Sequence, residues 1–280
     1  MELSNTTQLK PITKWVGGKR QLLPSLQELM PEKYNHYFEP FIGGGALLFS
    51  LAPKHATIND FNTDLINLYQ VVKNNPNELL SLLQEHSEKN TKDYYLEVRG
   101  LDRSDKINEL SNVEKAARIL YMLKVDFNGM YRVNSKNQFN VPYGRYKNPN
   151  IADSETILNV SRYFNSSNIE ILSGDFENAV RNAKSDDLVY FDPPYVPVNE
   201  TSSFTSYTSD GFNYNEQVRL KDLFFRLSNK GVKVMLSNSD VDIVRDLYKE
   251  ANIHSVQANR FINSVGTKRG KVGEVIITSY

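Results

Sequence analysis

The chain has 280 residues, 40% of them hydrophobic and 24% charged, with 33 Lys/Arg balancing 33 Asp/Glu and no cysteine. That composition fits one globular domain, or one domain carrying an insertion, with enough apolar content for a sizeable core. It excludes disulfides, thiolate metal sites and every mechanism that needs a cysteine nucleophile. No apolar run approaches the roughly 20 residues of a membrane span, and MELSNTTQLK is not a basic start followed by an apolar stretch. No membrane association and a cytoplasmic location are therefore the expectation. The four histidines, His36, His55, His86 and His254, show no metal-ligand spacing, so no metal is expected.

In chain order, KWVGGK (14–19) is a glycine-bearing turn that carries the only tryptophan between two cations. Apolar runs that predict buried strands follow at HYFEPF (36–41) and ATIND (56–60), with GGG and the helical ALLFSL (46–51) between them. The strand–helix alternation then breaks: LINLYQVV, ELLSLLQEH, DYYLEVRGL and VEKAARILYMLKV read as successive amphipathic helices. FNGMYRVNSKNQFNVPYGRY (127–146) reads as a hairpin with its turn at 134–137. Strands resume at NIEILSGD (168–175), DLVYFDPPY (187–195) and GVKVMLSNS (231–239), with LKDLFFRL (220–227) at helical spacing. Strands alternating with helices predict an α/β fold with a largely parallel sheet, whose ligands bind at the carboxyl ends of the strands. The expected domains are 1–63 with 165–280, and a helical insertion over 64–164.

Net charge is zero, but its distribution is uneven. Residues 60–117 hold 11 acids against 7 Lys/Arg, whereas residues 118–147 hold 6 Lys/Arg against one acid, with 6 Phe/Tyr interleaved. Arg260, Lys268, Arg269 and Lys271 form a second basic stretch without an acid. Two basic patches on a neutral body suit a polyanionic partner along one face; solvated loops are the plainer reading.

FEPFIGGGA (38–46) is strand, glycines, helix, the order that brings backbone against a cofactor. A tight turn reads equally well from three glycines alone. Asp60 ends the next strand, where an acid can accept hydrogen bonds from ribose hydroxyls. No Lys-Ser/Thr pair follows the glycines, so a nucleoside cofactor without a triphosphate fits better. In DPPY, Asp192 and the Pro193 carbonyl place two acceptors together, and proline brings no competing N–H. Such a pair can bind an –NH2 group, and Tyr195 offers a face on which a heteroaromatic ring can stack. The plain alternative is a rigid strand-to-loop turn.

Taken in this order, KWVGGK, FEPFIGGGA, IND, FNGMYRVNSKNQFNVPYGRY, SGDF and DPPY resemble the Dam-type DNA adenine-N6 methyltransferases, most of all those that accompany GATC-cutting restriction enzymes. The motifs run from Lys14 to Tyr195, and a basic segment like NRFINSVGTKRGK also follows in that family. The resemblance implies a Rossmann-like class I methyltransferase sheet with an inserted helical DNA-recognition domain bearing a β-hairpin. It implies S-adenosyl-L-methionine as cofactor, held by Trp15, Gly17, Lys19, Phe38, Pro40, Gly43, Gly45, Asp60, Asp175, Phe176 and Asp192. It makes Asp192, Pro193 and Tyr195 the site for the flipped adenine. Lys14, Phe127, Asn128, Met130, Arg132, Asn134, Pro142, Arg145, Tyr146, Lys268 and Arg269 become the contacts to duplex DNA. Phe127 stands where some relatives carry a tyrosine that wedges into the duplex. The implied partners are GATC sites and a restriction endonuclease acting on the same site without a stable complex, in a nucleoid-associated, cytoplasmic setting.

The absence of cysteine accords with this chemistry. Methylation at cytosine C5 needs a covalent nucleophile, whereas an amine has its own lone pair and needs only to be exposed and aligned. An N4-cytosine methyltransferase would use the same amine trap, although Ser-Pro-Pro-Tyr is more typical there. A non-catalytic nucleic-acid-binding module remains the alternative of a different class. An NAD-dependent oxidoreductase lacks its G-x-G-x-x-G.

Overall fold

Each of the five apolar runs forms a strand in the computed structural model, which describes residues 9–15, 17–19, 21–197, 212–259 and 271–280. The elements in chain order are α1 (Leu23–Glu28), β1 (Tyr37–Glu39), α2 (Ala46–Leu51), β2 (His55–Asp60), α3 (Thr63–Asn74), α4 (Pro76–Glu88), α5 (Lys92–Gly100), α6 (Lys106–Glu109) and α7 (Asn112–Val125). They continue with α8 (Ser154–Ser166), β3 (Asn168–Ser173), α9 (Phe176–Ala179), β4 (Leu188–Phe191), α10 (Tyr214–Ser228), β5 (Lys233–Ser239), α11 (Asp242–Leu247), β6 (Asn252–Asn259) and β7 (Lys271–Thr278). The chain divides into two compact units, one of Met1–Gly18, Gly43–Lys54 and Asn62–Ser173, the other of Lys19–Ile42, His55–Phe61 and Gly174–Tyr280.

The second unit holds six strands in the order β2-β1-β4-β5-β7-β6. The first four run parallel, with Phe38 opposite Thr57 on one side and Val189 on the other, and Phe191 opposite Leu236. β7 then enters antiparallel between β5 and β6. β1 and β4 are buried at every position, as expected of strands covered on both faces. Phe38, Val189, Phe191, Leu236 and Ile277 pack with Leu220, Phe224 and Tyr248 in one core. Because β1, β2 and β4 are parallel, their carboxyl ends share an edge, and the loops that begin at Pro40, Phe61 and Asp192 leave from it. β6 and β7 have no counterpart in the sequence reading. Lys268 and Arg269 lie outside the described residues.

The first unit is mainly helical. α7 buries ten side chains and starts at a reciprocal cap, in which the Ser111 amide donates to Glu114 Oε2 at 2.7 Å and the Glu114 amide donates to Ser111 Oγ at 3.2 Å. The segment after α7 folds back on itself, but through two isolated antiparallel bridges, Asp126–Tyr143 and Val133–Phe139, rather than a continuous ladder. Two features interrupt the ladder. Asn128 and Gly129 sit in the left-handed region at φ 66° and 65°, and Pro142 has no N–H to give. The turn at its tip closes where the Asn134 amide donates to the Gln138 carbonyl and the Asn137 amide to the Asn134 carbonyl, both at 2.9 Å.

Candidate active site

In the second unit, the strand-end loops are tied together by Asn59. Its buried side-chain amide donates to the carbonyls of Pro40 at 3.0 Å and Gly174 at 2.9 Å, while its main-chain carbonyl accepts from the Ile42 amide at 2.9 Å. The Gly174 amide donates to the Asp60 carbonyl at 3.1 Å. This brings Asp60 and Asp175 to neighbouring loops. Beside Asp60, Phe61 is 80% exposed, an unusual state for a large apolar side chain at the end of a buried strand. Gly174 has φ 126°, and a Cβ there would meet nothing within 4 Å, so the backbone faces open space.

Other expected cofactor residues are engaged by the protein itself. The Asp175 carboxylate caps α9 by accepting from the Glu177 amide at 3.0 Å and pairs with Arg219. Arg219 lies 4.3 Å from the centroid of the buried Phe176 ring, whose stacking neighbour is Phe41 at 5.3 Å. Phe38 and Pro40 are buried, and the Phe38 ring belongs to the core.

Asp192 begins the loop beyond β4. Lys19 Nζ is 2.9 Å from Asp192 Oδ1 and 4.2 Å from the centroid of the Tyr195 ring. The Tyr195 hydroxyl donates to Glu274 Oε2 at 3.1 Å. Burial raises the Asp192 carboxyl to a pKa of about 6; Lys19 opposes this and Glu274 adds to it. Burial and the nearby Asp192 hold the Tyr195 hydroxyl well above its usual range, so it stays a neutral donor. The Lys19 ammonium thus meets the Asp192 carboxylate and the Tyr195 ring face together. Among the described residues no donor within the chain reaches the Pro193 carbonyl.

The rest of this loop is pinned from behind. Buried Gln217 donates to the Pro194 carbonyl at 3.0 Å, Asn238 Oδ1 accepts from the Val196 amide at 3.0 Å, and Ser239 Oγ donates to the Val196 carbonyl at 2.6 Å. The two bonds to Val196 are buried, where leaving a partner unsatisfied costs about 1–3 kcal/mol. The arrangement fixes the backbone beside Asp192.

In the first unit, the glycine turn packs on Trp15. Gly43 has φ 46°, and a Cβ on it would lie 3.0 Å from Trp15 Cδ1. Gly45, at φ 69°, precedes α2, and a Cβ there would come 2.8 Å from the Phe49 ring. Trp15 also stacks on Tyr131, centroids 5.1 Å apart. Gly17, at φ 80°, has open space where a Cβ would point.

The same unit gathers most of the expected DNA residues. Lys14 is exposed, with its Nζ 5.8 Å from the Tyr146 ring centroid. Phe127 is 52% exposed and Asn128 is exposed beside it. Behind them, the fully buried Asp126 accepts from the Met130 amide at 3.0 Å. Burial raises the Asp126 carboxyl to a pKa of about 7, against the pull of the Met130 and Gly129 amides and Lys14. Arg132 donates to Asn140 Oδ1 at 2.6 Å and to the Asn140 carbonyl at 3.0 Å, within its own hairpin. Asn134 spends its side-chain oxygen on the amides of Lys136 and Gln138, both at 3.0 Å. Pro142 and Arg145 are exposed. Among the described residues, no three His, Asp or Glu gather as metal ligands would, and no helix is long and apolar enough to cross a membrane.

A family model described as D12 class N6 adenine-specific DNA methyltransferase matches residues 15–262. The chain belongs to this family. Its methyltransferases act on adenine, which removes the cytosine-N4 alternative, and they generally use S-adenosylmethionine. The type II methyltransferase M1.LlaDCHI of Lactococcus lactis subsp. cremoris is 60% identical over 276 residues, 99% of this chain and 97% of its own. The type II methyltransferase M.MjaIII of Methanocaldococcus jannaschii is 43% identical, covering 98% of this chain and 100% of its own. A DNA adenine methylase of Vibrio cholerae serotype O1 is 33% identical, covering 94% and 93%. The D12 enzyme is thus an adenine-specific DNA methyltransferase, and its substrate is DNA.

Sequence reasoning passed over Asn59, Phe61, Asp126, Gln217, Asn238 and Glu274. Phe61 carried a signal, an aromatic directly after the acid that ends a strand. Glu274 carried none: it comes from the last strand, beyond the stretch that the family model matches.

Proposed function

We propose that the enzyme methylates adenine N6 within GATC in duplex DNA, taking the methyl group from S-adenosylmethionine by direct in-line transfer to a flipped base. The observation that supports this best is the Lys19 ammonium seated on Asp192 over the Tyr195 face, because it is an N–H donor in the position proposed for the adenine amine. Asp60, Phe61 and the open backbone at Gly174 fit an adenosine: an acceptor for ribose hydroxyls, an exposed aromatic wall, and space between. Asp175, Phe176, Phe38, Pro40, Lys19 and Asp192 of the same unit join this cofactor set. When bound, S-adenosylmethionine supplies a methyl on a positive sulfur, which keeps both electrons of the broken S–C bond.

The residues of the chain do the rest. Asp192 and the Pro193 carbonyl accept hydrogen bonds from the two N6 hydrogens and draw the lone pair out of ring conjugation. As the amine becomes cationic, these acceptors bind it more strongly than they bind the ground state, which is the condition for acceleration. One N6 proton then passes to Asp192, whose proton affinity burial has raised. Tyr195 stacks on the base and helps repay the few kcal/mol of flipping.

Residues 64–164 act as the target-recognition insertion, with Phe127 as wedge, Asn128, Met130, Arg132 and Pro142, together with Lys14, at the DNA site, and Arg145 and Tyr146 at the phosphates. GATC as the site rests on the likeness of FNGMYRVN and FNVPYGRY to the Dam type. The likeness to type II methyltransferases supports a partner endonuclease that cuts the same site. The test is digestion of enzyme-treated plasmid with two nucleases of opposite GATC-methylation sensitivity. Protection from the one and new cleavage by the other is expected; an unchanged pattern with both rejects the site.

A further inference from the structure

The amine trap has a third charged member. Glu274 lies on β7, opposite Ser239 of β5 on one side and Val256 of β6 on the other. From there its Oε2 accepts the Tyr195 hydroxyl at 3.1 Å. Tyr195 is thus held at both levels, its ring under the Lys19 ammonium and its hydroxyl on the Glu274 carboxylate. An aromatic ring free to rotate would make a poor stacking wall, and a hydrogen bond at the far end of the ring fixes its plane.

The charges point the same way. Lys19 and Asp192 alone form a neutral pair, so a cationic amine would add an uncompensated charge to a buried site. Such a charge is costly unless it is paired. With Glu274 present, two carboxylates face one ammonium, so when the adenine amine takes the Lys19 position on Asp192, Glu274 still balances Lys19 and the developing amine cation brings the group to neutrality. We propose that Glu274 is a positioning residue for methyl transfer, which orients Tyr195 and offsets Lys19 so that the Asp192 charge serves the reacting amine. The inference rests on the reading of Asp192 as the amine acceptor.

The titratable groups that face Asp192 are Lys19, Glu274, Tyr190 and Tyr195, with Glu39 of β1 acting on Tyr190. Among these, Glu274 raises the proton affinity of Asp192 and Lys19 lowers it. Removing the Glu274 charge therefore moves Asp192 ionisation to lower pH.

The experiment compares wild type with Glu274→Gln, Glu274→Asp and Asp192→Ala on a GATC duplex, using steady-state rates across pH and S-adenosylmethionine titrations followed through Trp15 fluorescence. Glu274→Gln should bind cofactor within about twofold of wild type, lose about tenfold or more in kcat with little change in KM for DNA, and shift the acid limb of kcat/KM to lower pH. Glu274→Asp keeps the charge on a shorter reach, so its rate should fall while its acid limb stays near that of wild type. A Glu274→Gln enzyme with the kcat and acid limb of wild type overturns the inference, and an inactive Asp192→Ala beside it would leave the amine-acceptor reading standing. An Asp192→Ala enzyme of normal activity overturns both. If Glu274→Gln does not fold, a Glu274→Asp acid limb displaced from that of wild type overturns the charge role.

Discussion

The Trp15 indole stacks on the Tyr131 ring with centroids 5.1 Å and planes 27° apart. Trp15 also packs on Gly43 and Gly44, so one side chain touches both the glycine turn and the segment that carries the expected base-reading residues. An aromatic pair contributes about 0.5–1.5 kcal/mol beyond the area it buries. Tyr131→Leu should therefore destabilise the enzyme by about that amount, measured by denaturant unfolding, and should change the Trp15 emission. Tyr131→Phe, which gives up the hydroxyl's contacts with the exposed Asp64, at 3.3 Å, and with Asn62, should cost less. Equal losses in both variants would place the energy in the hydroxyl and not in the stack.

Asp126 makes a prediction about stability and pH. Its folded pKa, about 7, lies above that of an exposed carboxyl, so the folded state holds a proton that the unfolded chain releases. The folded state binds more protons between about pH 4 and pH 7, and stability attributable to this group falls as pH rises through that window. The slope approaches about 1.4 kcal/mol per pH unit at its steepest. Asp126→Asn keeps an acceptor for the Met130 amide and removes the titration. Unfolding free energies of the two proteins should diverge between pH 4 and 7 in favour of Asn at the upper end, and run parallel above it. Parallel curves throughout would show that the carboxyl is ionised in the fold.

How much of this was legible in the sequence follows from how local each signal is. DPPY announced itself because an apolar run meeting an acid and two prolines has few structural meanings, and the structure does set Asp192 at the end of a buried parallel strand. The Lys19 partner of Asp192 could not be read, because KWVGGK and DPPY are far apart in the chain and only the fold joins them. Asn59 sat inside the quoted IND, yet its use as a clamp depends on carbonyls at Pro40 and Gly174. β6 and β7 escaped because an antiparallel strand inserted between β5 and β6 is a topological fact with no local marker. The hairpin was recognisable from its turn residues, whereas its break into two bridges depends on the left-handed Asn128.

Asp192 and Asp60 should fail differently. Asp192→Asn should lower kcat by roughly 100-fold or more, the usual scale for deleting one preorganised charge-stabilising group, with cofactor affinity kept. In wild type kcat/KM should rise with pH through about 6, as the Asp192 carboxyl ionises, and then level off. Asp60→Ala should chiefly weaken cofactor binding in fluorescence titrations. A wild-type profile flat between pH 5 and 7 would separate activity from the Asp192 carboxylate.

Arg132 and Arg145 predict two kinds of DNA defect. An arginine can donate two hydrogen bonds to O6 and N7 of guanine, but in this structure Arg132 directs its fork at Asn140. Reading a guanine requires that fork to leave Asn140. Arg132→Ala should lose roughly 1–3 kcal/mol on GATC and relax discrimination at one guanine. Arg145→Ala should weaken all duplexes alike and reduce the salt dependence by about one ion. Relative methylation rates on GATC and on sites changed at the first base, at fixed salt, separate the two. A uniform slowing by Arg132→Ala would make it a backbone contact.

The most direct measurement is mass spectrometry of nucleosides from two duplexes that differ only in whether GATC is intact, after incubation with S-adenosylmethionine and either wild type or Asp192→Ala. N6-methyladenine should form on the intact duplex with wild type alone, while Asp192→Ala still binds cofactor and leaves both duplexes unmodified. Equal modification of both duplexes by wild type, or turnover by Asp192→Ala at the wild-type rate, would contradict the assignment of site and residue together.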